Sequence, residues 1–296
     1  MEKEIRAFVP EHLCKFLQLG AVGEIFQVTS AGIYLRMGEQ ILLLCDAHWG
    51  ILPIGIGMED FEDAVLQLKP QQGQQIEVAE NKLIFPNGTV QLTLRPSNKT
   101  VNCLPRRTLI RQAAEELVAL GKSRGISMLV QPLILGQALA EEVKTNPYCM
   151  YAYPFFSKLV AAFDATDDFE IDSCIKKLLG LGLGLTPSAD DVLLGMLYVF
   201  RALPQYCPEP AALFRACIAR QCDLHTNQIS AAYLKSIMAG APFERMESVF
   251  RGLCGAELLD IQQLTQIGSS SGSEMLLGML IALRICGYDV AQEELQ

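Results

Sequence analysis

The stretch Gly180–Phe200, GLGLGLTPSADDVLLGMLYVF, decides how the second half of the chain is built. Its alternating glycines and leucines lead into Thr186-Pro187-Ser188, where Thr or Ser can cap a helix and Pro fits the first turn. An acidic pair, Asp190 and Asp191, follows in the predicted first turn, and nearly every residue after it is apolar. We therefore predict a tight glycine-rich loop followed by a buried helix.

The predicted loop has the character of an anion site. Free backbone N–H groups and the positive end of the helix dipole point to the same place there, and Gly182 and Gly184 would let a ligand come close. The carboxylates of Asp190 and Asp191 would repel a phosphate unless a cation lies between them, and Mg²⁺ is a hard cation that suits both kinds of oxygen. A structural interpretation stays open, because Asp in a first turn also stabilises the helix dipole.

A second copy of the pattern lies 83 residues further on, in GSSSGSEMLLGMLIALR at residues 268–284. The offset aligns Ser188 with Ser271 and Asp191 with Glu274, and it superposes two LLGML segments. Each copy therefore has a loop of small residues, a serine, an acid and an apolar helix. Such a repeat predicts two equivalent buried helices.

The paired helices allow a site to be predicted where their loops meet. Gly195 and Gly278 occupy the same place in the two LLGML segments, so we expect the helix backbones to approach closely there. If the two N-terminal loops lie at one end of the pair, they form one pocket lined by Asp191 and Glu274. An antiparallel arrangement would hold the loops apart.

These motifs resemble the AllH-like family. The shared pattern is G-x-G-x-G-L-T-P-S-x-D-D-x-L-x-G followed by G-x-S-S-G-x-[DE]-x-L-x-G, and the resemblance covers roughly Leu178 to Leu283. It includes Thr226-Asn227-Gln228-Ile229-Ser230, where the family tends to have T-T-x-I-S. Better-understood members are similar to one subunit of a multi-subunit oxamate carbamoyltransferase of anaerobic allantoin and purine breakdown.

Three positions depart from the family pattern. Members usually have Gly where this chain has Ala189, often His where it has Ser269, and Asp where it has Glu274. Ala189 restricts the loop slightly. The absence of the His removes a group that could act as an acid or base.

The resemblance implies a subunit of a carbamoyltransferase-like enzyme within a hetero-oligomeric complex. Its substrates would be carbamoyl phosphate and a small carboxylate-amide such as oxamate. Asp190 or Asp191 would orient the attacking amide or bind Mg²⁺, and Ser188 would donate a hydrogen bond; these three are the candidate catalytic residues. The candidate substrate-binding residues are Gly182, Gly184, Thr186, Pro187, Thr226, Asn227, Ser230, Ser269, Ser270, Ser271, Gly272 and Glu274.

Alternative interpretations remain at this point. The two loops could build an interface in a non-catalytic assembly subunit. A nucleotide- or acyl-phosphate-binding enzyme is a third possibility, although the chain lacks the Lys-Ser/Thr of a P-loop. Thr226 could simply cap the following helix, which is a common role for Thr.

Composition narrows the class of protein. The 296 residues are 50% hydrophobic and only 19% charged, which suits a large core or apolar surface buried against partner subunits. The net charge of −9 argues against nucleic acids and anionic membrane surfaces. No secretory leader or apolar run of about 20 residues is evident, and the ten cysteines include no C-x-x-C pair, so we expect a reduced, cytoplasmic protein.

The first hundred residues have a different pattern of hydrophobic and polar residues. Short alternating or apolar segments separated by turns, with a hairpin at Pro86-Asn87-Gly88, predict a small antiparallel sheet or barrel over residues 20–96. A short helix is predicted at 10–19, and helices fill the chain beyond the polar stretch Pro96–Pro105, including one over 255–266. The expected fold is therefore α+β, with a β-rich domain at 1–100 and a mainly helical domain at 101–296 that carries both loops.

Overall fold

The computed structural model describes residues 4–96, 103–121, 125–206 and 208–291, apart from the side chain of Pro210. The chain forms two compact units. The first contains the described residues up to 96 together with Ala241–Arg245, and the second contains the other described residues. The α+β prediction is confirmed: the first unit is built of strands and the second of helices.

The first unit is a closed barrel of eight strands with the order β1-β5-β4-β3-β2-β6-β7-β8. One helix, α1 (Phe61–Leu68), lies between β5 and β6 in the chain. The strands are β1 (Ile5–Pro10), β2 (Val22–Val28), β3 (Ile33–Met37), β4 (Gln40–Asp46), β5 (Gly55–Met58), β6 (Gln75–Ala79), β7 (Lys82–Phe85) and β8 (Gly88–Arg95). Their alternating apolar side chains, such as Ile5, Ala7 and Val9, fill the interior of the barrel.

The barrel differs from the prediction in two respects. The pairs β1–β8 and β4–β5 are parallel, so the sheet is mixed rather than antiparallel. The helix predicted at 10–19 is a 3₁₀ helix, Glu11–Phe16, preceded by a strand that was not expected. That strand pairs Ile5 with Val90, a partner 85 residues away, and a local pattern carries no information about such a pairing.

Helices form the second unit. They are α2 (Arg107–Ala119), α3 (Val130–Leu133), α4 (Glu141–Thr145), α5 (Pro147–Ala165), α6 (Asp168–Leu178), α7 (Ser188–Ala202), α8 (Pro208–His225), α9 (Gln228–Met238), α10 (Glu244–Cys254), α11 (Gln262–Thr265) and α12 (Ser271–Ile285); the first residues of α10 belong to the barrel unit. None of the helices in the described ranges is long and apolar enough to cross a membrane.

The long helix predicted over 255–266 is reduced to α11. Gly255 has a φ of +71°, and the amide of Ala256 donates to the carbonyl of Arg251 while that of Gly255 donates to Gly252. This is a Schellman motif, which ends α10 and turns the chain away from a helical path. The apolar spacing that followed was therefore not enough to continue a helix.

α7 and α12 cross at the centre of the second unit. A Cβ on Gly195 would lie 2.1 Å from the carbonyl oxygen of Met275, and one on Gly278 would lie 1.9 Å from that of Val192. The predicted close approach of the two helices at these glycines is thus confirmed. Under the 83-residue offset Val192 corresponds to Met275, so the two contacts exchange and the helices are related by a local two-fold.

Candidate functional site

The two glycine- and serine-rich loops meet where α7 and α12 begin. The hydroxyl oxygens of Thr186 and Ser271 lie 3.0 Å apart. α7 starts at Ser188 and α12 at Ser271, which are equivalent positions of the repeat. Two loops that are distant in the chain therefore form one polar cluster inside an apolar unit.

The first serine of each helix hydrogen-bonds to the acidic side chain of the other helix. The hydroxyl of Ser271 hydrogen-bonds to Asp191 on α7, and the hydroxyl of Ser188 hydrogen-bonds to Glu274 on α12. The two contacts exchange under the 83-residue offset, as the local two-fold requires. Thr186 adds a second hydroxyl to Asp191.

Glu274 is fully buried and is held by backbone and side-chain donors. Its Oε1 accepts the amide of Ile126 at 3.0 Å, and its Oε2 accepts the hydroxyl of Ser270 at 3.1 Å. Gly125 makes room for this carboxylate, since a Cβ there would lie 2.0 Å from Oε1. The acid is therefore a fixed part of the cluster rather than a mobile side chain.

Burial raises the pKa values of both acids. Desolvation is the largest cause for Asp191, the negative charge of Glu274 adds to it, and together they hold the pKa of Asp191 well above its ordinary value. Oδ2 of Asp191 is buried and has no hydrogen-bond partner among the described residues. Desolvation also raises the pKa of Glu274, against the opposing bonds from Ser188, Ile126 and Ser270. Loss of charge from one of these acids therefore relieves its own desolvation, and neutral Asp191 no longer lies as a like charge beside Glu274.

Asp190 has a separate set of partners. Its Oδ1 accepts the amide of Gly180 at 2.8 Å, and its Oδ2 accepts the hydroxyls of Ser230, at 2.7 Å, and of Thr226. Desolvation raises the pKa of Asp190, and these three bonds oppose the rise. The side chain links the glycine-rich loop to the start of α9 by hydrogen bonds, and these bonds stabilise the site.

The predicted capping roles are only partly correct. Asn227, not Thr226, caps α9 by accepting the amides of Ile229 and Ser230, both at 3.0 Å. The hydroxyl of Thr226 is directed to Asp190 instead. At α7 the capping position is held by Pro187, and no side chain caps the helix.

The loops themselves accept hydrogen bonds from backbone N–H groups in the first turn of both helices. The amide of Ala189 donates to the carbonyl of Leu181 at 2.9 Å, and the equivalent amide of Gly272 donates to Ile267 at 3.0 Å. Gly182 packs so closely that a Cβ on it would lie 2.3 Å from the amide nitrogen of Ser188. Gly184, by contrast, has open space around its Cβ position. These contacts leave fewer free backbone N–H groups for an anion than the sequence pattern predicted.

A cleft of about 500 Å³ opens beside the cluster. Ser188 stands in its wall with Ser269 and Ser270 of the second loop, and Leu183 lies exposed at its edge. The other lining residues are Gly125, Asn146, Pro147 and Tyr148. The structure therefore brings both serine loops to one opening, whereas Thr226, Asn227 and Ser230 do not line it.

Sequence reasoning missed the wall formed by the segment before α5. Asn146 caps α5 by accepting the amides of Tyr148, at 2.9 Å, and Cys149, and its Nδ2 donates to the carbonyl of Gly125 at 2.8 Å. The dipeptide Asn146-Pro147 is a typical helix start and could have located this turn. Nothing in the local pattern indicates that it lies against the serine loops.

The predicted magnesium ligands, Asp190 and Asp191, differ in how far protein donors already occupy their oxygens. Both oxygens of Asp190 and both of Glu274 accept bonds from protein donors, so only Asp191 keeps an oxygen without a partner. Within the described ranges, no three His, Cys, Asp or Glu side chains are grouped so as to hold a metal ion.

Comparison with known families agrees with the resemblance seen in the sequence. A family described as oxamate carbamoyltransferase subunit AllH matches residues 178–283. That span runs from the last residue of α6 into α12 and contains both serine loops, Asp190, Asp191 and Glu274. The suspected resemblance is confirmed over this segment. No solved structure matches the chain.

Proposed function

We propose that this chain is a subunit of a carbamoyltransferase-type enzyme of allantoin or purine nitrogen breakdown, and that its serine-lined cleft holds a small carboxylate-amide such as oxamate. The observation that carries the proposal is the pair of serines, Ser188 and Ser270, that stand in the cleft wall and are backed by one buried acid, Glu274. The family match supplies the reaction class.

The direction of the hydrogen bonds made by the Ser188 and Ser270 hydroxyl groups favours an amide as the ligand. Ser188 and Ser270 both donate their protons to Glu274, so each presents oxygen lone pairs to the cleft. Lone pairs accept hydrogen bonds from an amide N–H and cannot donate to a phosphate or carboxylate oxygen. The NH₂ end of oxamate therefore suits this wall better than an anionic end does.

The anionic groups of the substrates need another source of positive charge. None of the described residues that line the cleft is Lys or Arg. Carbamoyl phosphate is doubly charged near neutral pH, and such a group is held in proteins by cations or several backbone amides. We therefore infer that the phosphate and the substrate carboxylate are held by groups outside the described lining of this cleft.

Activity of the assembled complex tests the proposal. The chain purified with its co-expressed subunits should convert oxamate and carbamoyl phosphate to the carbamoylated amide and inorganic phosphate. Ser269→Phe, which fills the cleft, should abolish transfer, while Gln262→Phe on the exposed face of α11 should not. Equal activity of the two variants, or a wild-type complex without transfer, would refute the proposal.

A non-catalytic assembly role is the second candidate. Leu183 is 75% exposed at the edge of the cleft, and a large apolar side chain in that position suits a subunit contact. On this view Leu183→Ser would dissociate the complex, whereas Ser269→Phe would leave both assembly and transfer unchanged. Size-exclusion chromatography of Leu183→Ser and a transfer assay of Ser269→Phe separate the two candidates.

A further inference from the structure

Among the described residues, the hydroxyl groups of two serines that line the cleft also hydrogen-bond to Glu274. Ser270 Oγ donates to its Oε2 at 3.1 Å, and Ser188 is its second hydroxyl donor. Both serines line the cleft, while Glu274 itself has no exposed surface. Among the described residues, these two serines therefore link a ligand in the cleft to this carboxylate by hydrogen bonds.

We propose that Glu274 is the proton acceptor of the reaction and that Ser188 and Ser270 relay the proton to it. This inference rests on the proposed function, and it names a role for an acid that the family pattern carries as Asp. It also gives the chain an acid–base group in place of the His that Ser269 replaces.

The step balances as follows. The amide nitrogen of the acceptor substrate attacks the carbonyl carbon of carbamoyl phosphate, the new C–N bond forms, and the C–O bond to phosphate breaks with its electron pair leaving on phosphate. The N–H proton passes to the oxygen of Ser188 or Ser270, whose own proton passes to Glu274. The serine is regenerated and Glu274 ends as a neutral carboxylic acid.

A base must be ionised before the step, and the neighbouring groups allow this. Asp191 on α7 faces Glu274 and is 98% buried, and desolvation together with the charge of Glu274 raises its pKa well above the ordinary value, which favours its neutral form. Cys149 on α5 also faces Glu274, and burial followed by the charge of Glu274 raises the pKa of that thiol to about 12. Relay to Glu274 requires Asp191 and Cys149 to be neutral and Glu274 to be the ionised carboxylate.

The order of proton affinities explains why two acids are present. The proton on Asp191 removes the like-charge repulsion that would otherwise keep Glu274 from ionising. Glu274 in turn is a stronger base than a surface Glu because burial disfavours its charge. Asp191 acts through Glu274 and is a positioning residue, whereas Ser188 and Ser270 are the groups that touch the substrate.

The complex with its partner subunits provides the first test. Glu274→Gln keeps the shape of the side chain and should lower kcat about 100-fold, the scale of general base catalysis, with oxamate affinity unchanged in calorimetry. The acidic limb of the kcat profile against pH should disappear. Ser188→Ala and Ser270→Ala should each act mildly, and the double variant should resemble Glu274→Gln. A Glu274→Gln complex with wild-type kcat and an intact acidic limb would overturn the relay.

A second measurement, made on the assembled complex with only this chain labelled, keeps the inference separate from the proposed function. In carbon-13 NMR titrations, assigned with Asp191→Asn and Glu274→Gln, Asp191 should be protonated at neutral pH and Glu274 ionised, and oxamate should shift the Glu274 carboxyl signal. If the wild-type complex transfers no carbamoyl group, the proposed function fails. If Glu274 proves protonated at neutral pH, or its signal ignores the ligand, the relay fails whatever the activity.

Discussion

The carboxylate of Glu274 occupies the space that a side chain on Gly125 would need: a Cβ there would lie 2.0 Å from Oε1. Gly125 also has a φ of +84°, which L-residues rarely adopt. Its carbonyl accepts the side chain of Asn146 and its successor Ile126 donates to Glu274. One glycine thus fixes the buried acid and the cleft wall at the same time.

Gly125→Ala should therefore harm both stability and the site. Backbone strain alone costs about 1–3 kcal/mol at such a position, and displacement of the Glu274 carboxylate adds to it. Gly240→Ala is the matched control, because Gly240 has a φ of +90° but nothing within 4 Å of its Cβ position. Urea unfolding should give a larger loss for Gly125→Ala; equal losses would mean that Glu274 moves away without cost.

The crossing of α7 and α12 depends on the absence of side chains at Gly195 and Gly278. We expect Gly278→Ala to force the helices apart, because its Cβ would meet the backbone of Val192, and overpacking of this kind costs about 1–3 kcal/mol or more. Met279→Leu, a volume-conserving change at a buried neighbour, should cost less than about 1.5 kcal/mol. Thermal unfolding of the two variants measures the difference, and a Gly278→Ala protein as stable as Met279→Leu would contradict the crossing.

Asp190 and Asp191 are adjacent in sequence, but their replacement by uncharged residues should destabilise the fold to very different extents. Asp190→Ala leaves the amide of Gly180 and the hydroxyls of Thr226 and Ser230 without their acceptor, and each unsatisfied buried group costs about 1–3 kcal/mol. Asp191→Asn removes a buried carboxyl that already favours its neutral form, so its effect should be within about 1 kcal/mol. Denaturant titration decides; similar losses would show that both acids serve the same structural purpose.

The repeat was the most informative part of the sequence. Because Gly195 and Gly278 occupy equivalent places in two LLGML segments, an alignment of the chain with itself was enough to predict where the helices touch. The same alignment paired Ser188 with Ser271 and Asp191 with Glu274. The exchange of donors between those pairs follows once the helices are related by a two-fold.

Other parts of the site depend on contacts between dissimilar segments. Gly125 and Asn146 belong to no repeat, and what brings them to the serine loops is the packing around Glu274, which leaves no local signature. The parallel pairing of β1 with β8 escaped prediction for the same reason. Asp190 illustrates a different difficulty. A carboxylate beside a glycine-rich loop suggests metal chemistry, but this carboxylate accepts hydrogen bonds from the hydroxyls of Thr226 and Ser230.

The pH dependence of stability should reveal the raised pKa of Asp191. An unfolded Asp titrates near pH 3.9, whereas burial and Glu274 hold the pKa of Asp191 well above that value in the folded protein. Between those two values the folded state binds more protons than the unfolded state, so the free energy of unfolding decreases as pH rises through this window. The stabilisation is fully present below the unfolded pKa and lost above the folded one. Asp191→Asn should therefore show a shallower decrease than the wild type in denaturant titrations from pH 4 upward, and Met279→Leu, which changes no titratable group, should keep the wild-type slope. Identical slopes for wild type and Asp191→Asn would place an ionised Asp191 in the folded protein and remove the proton from the buried pair.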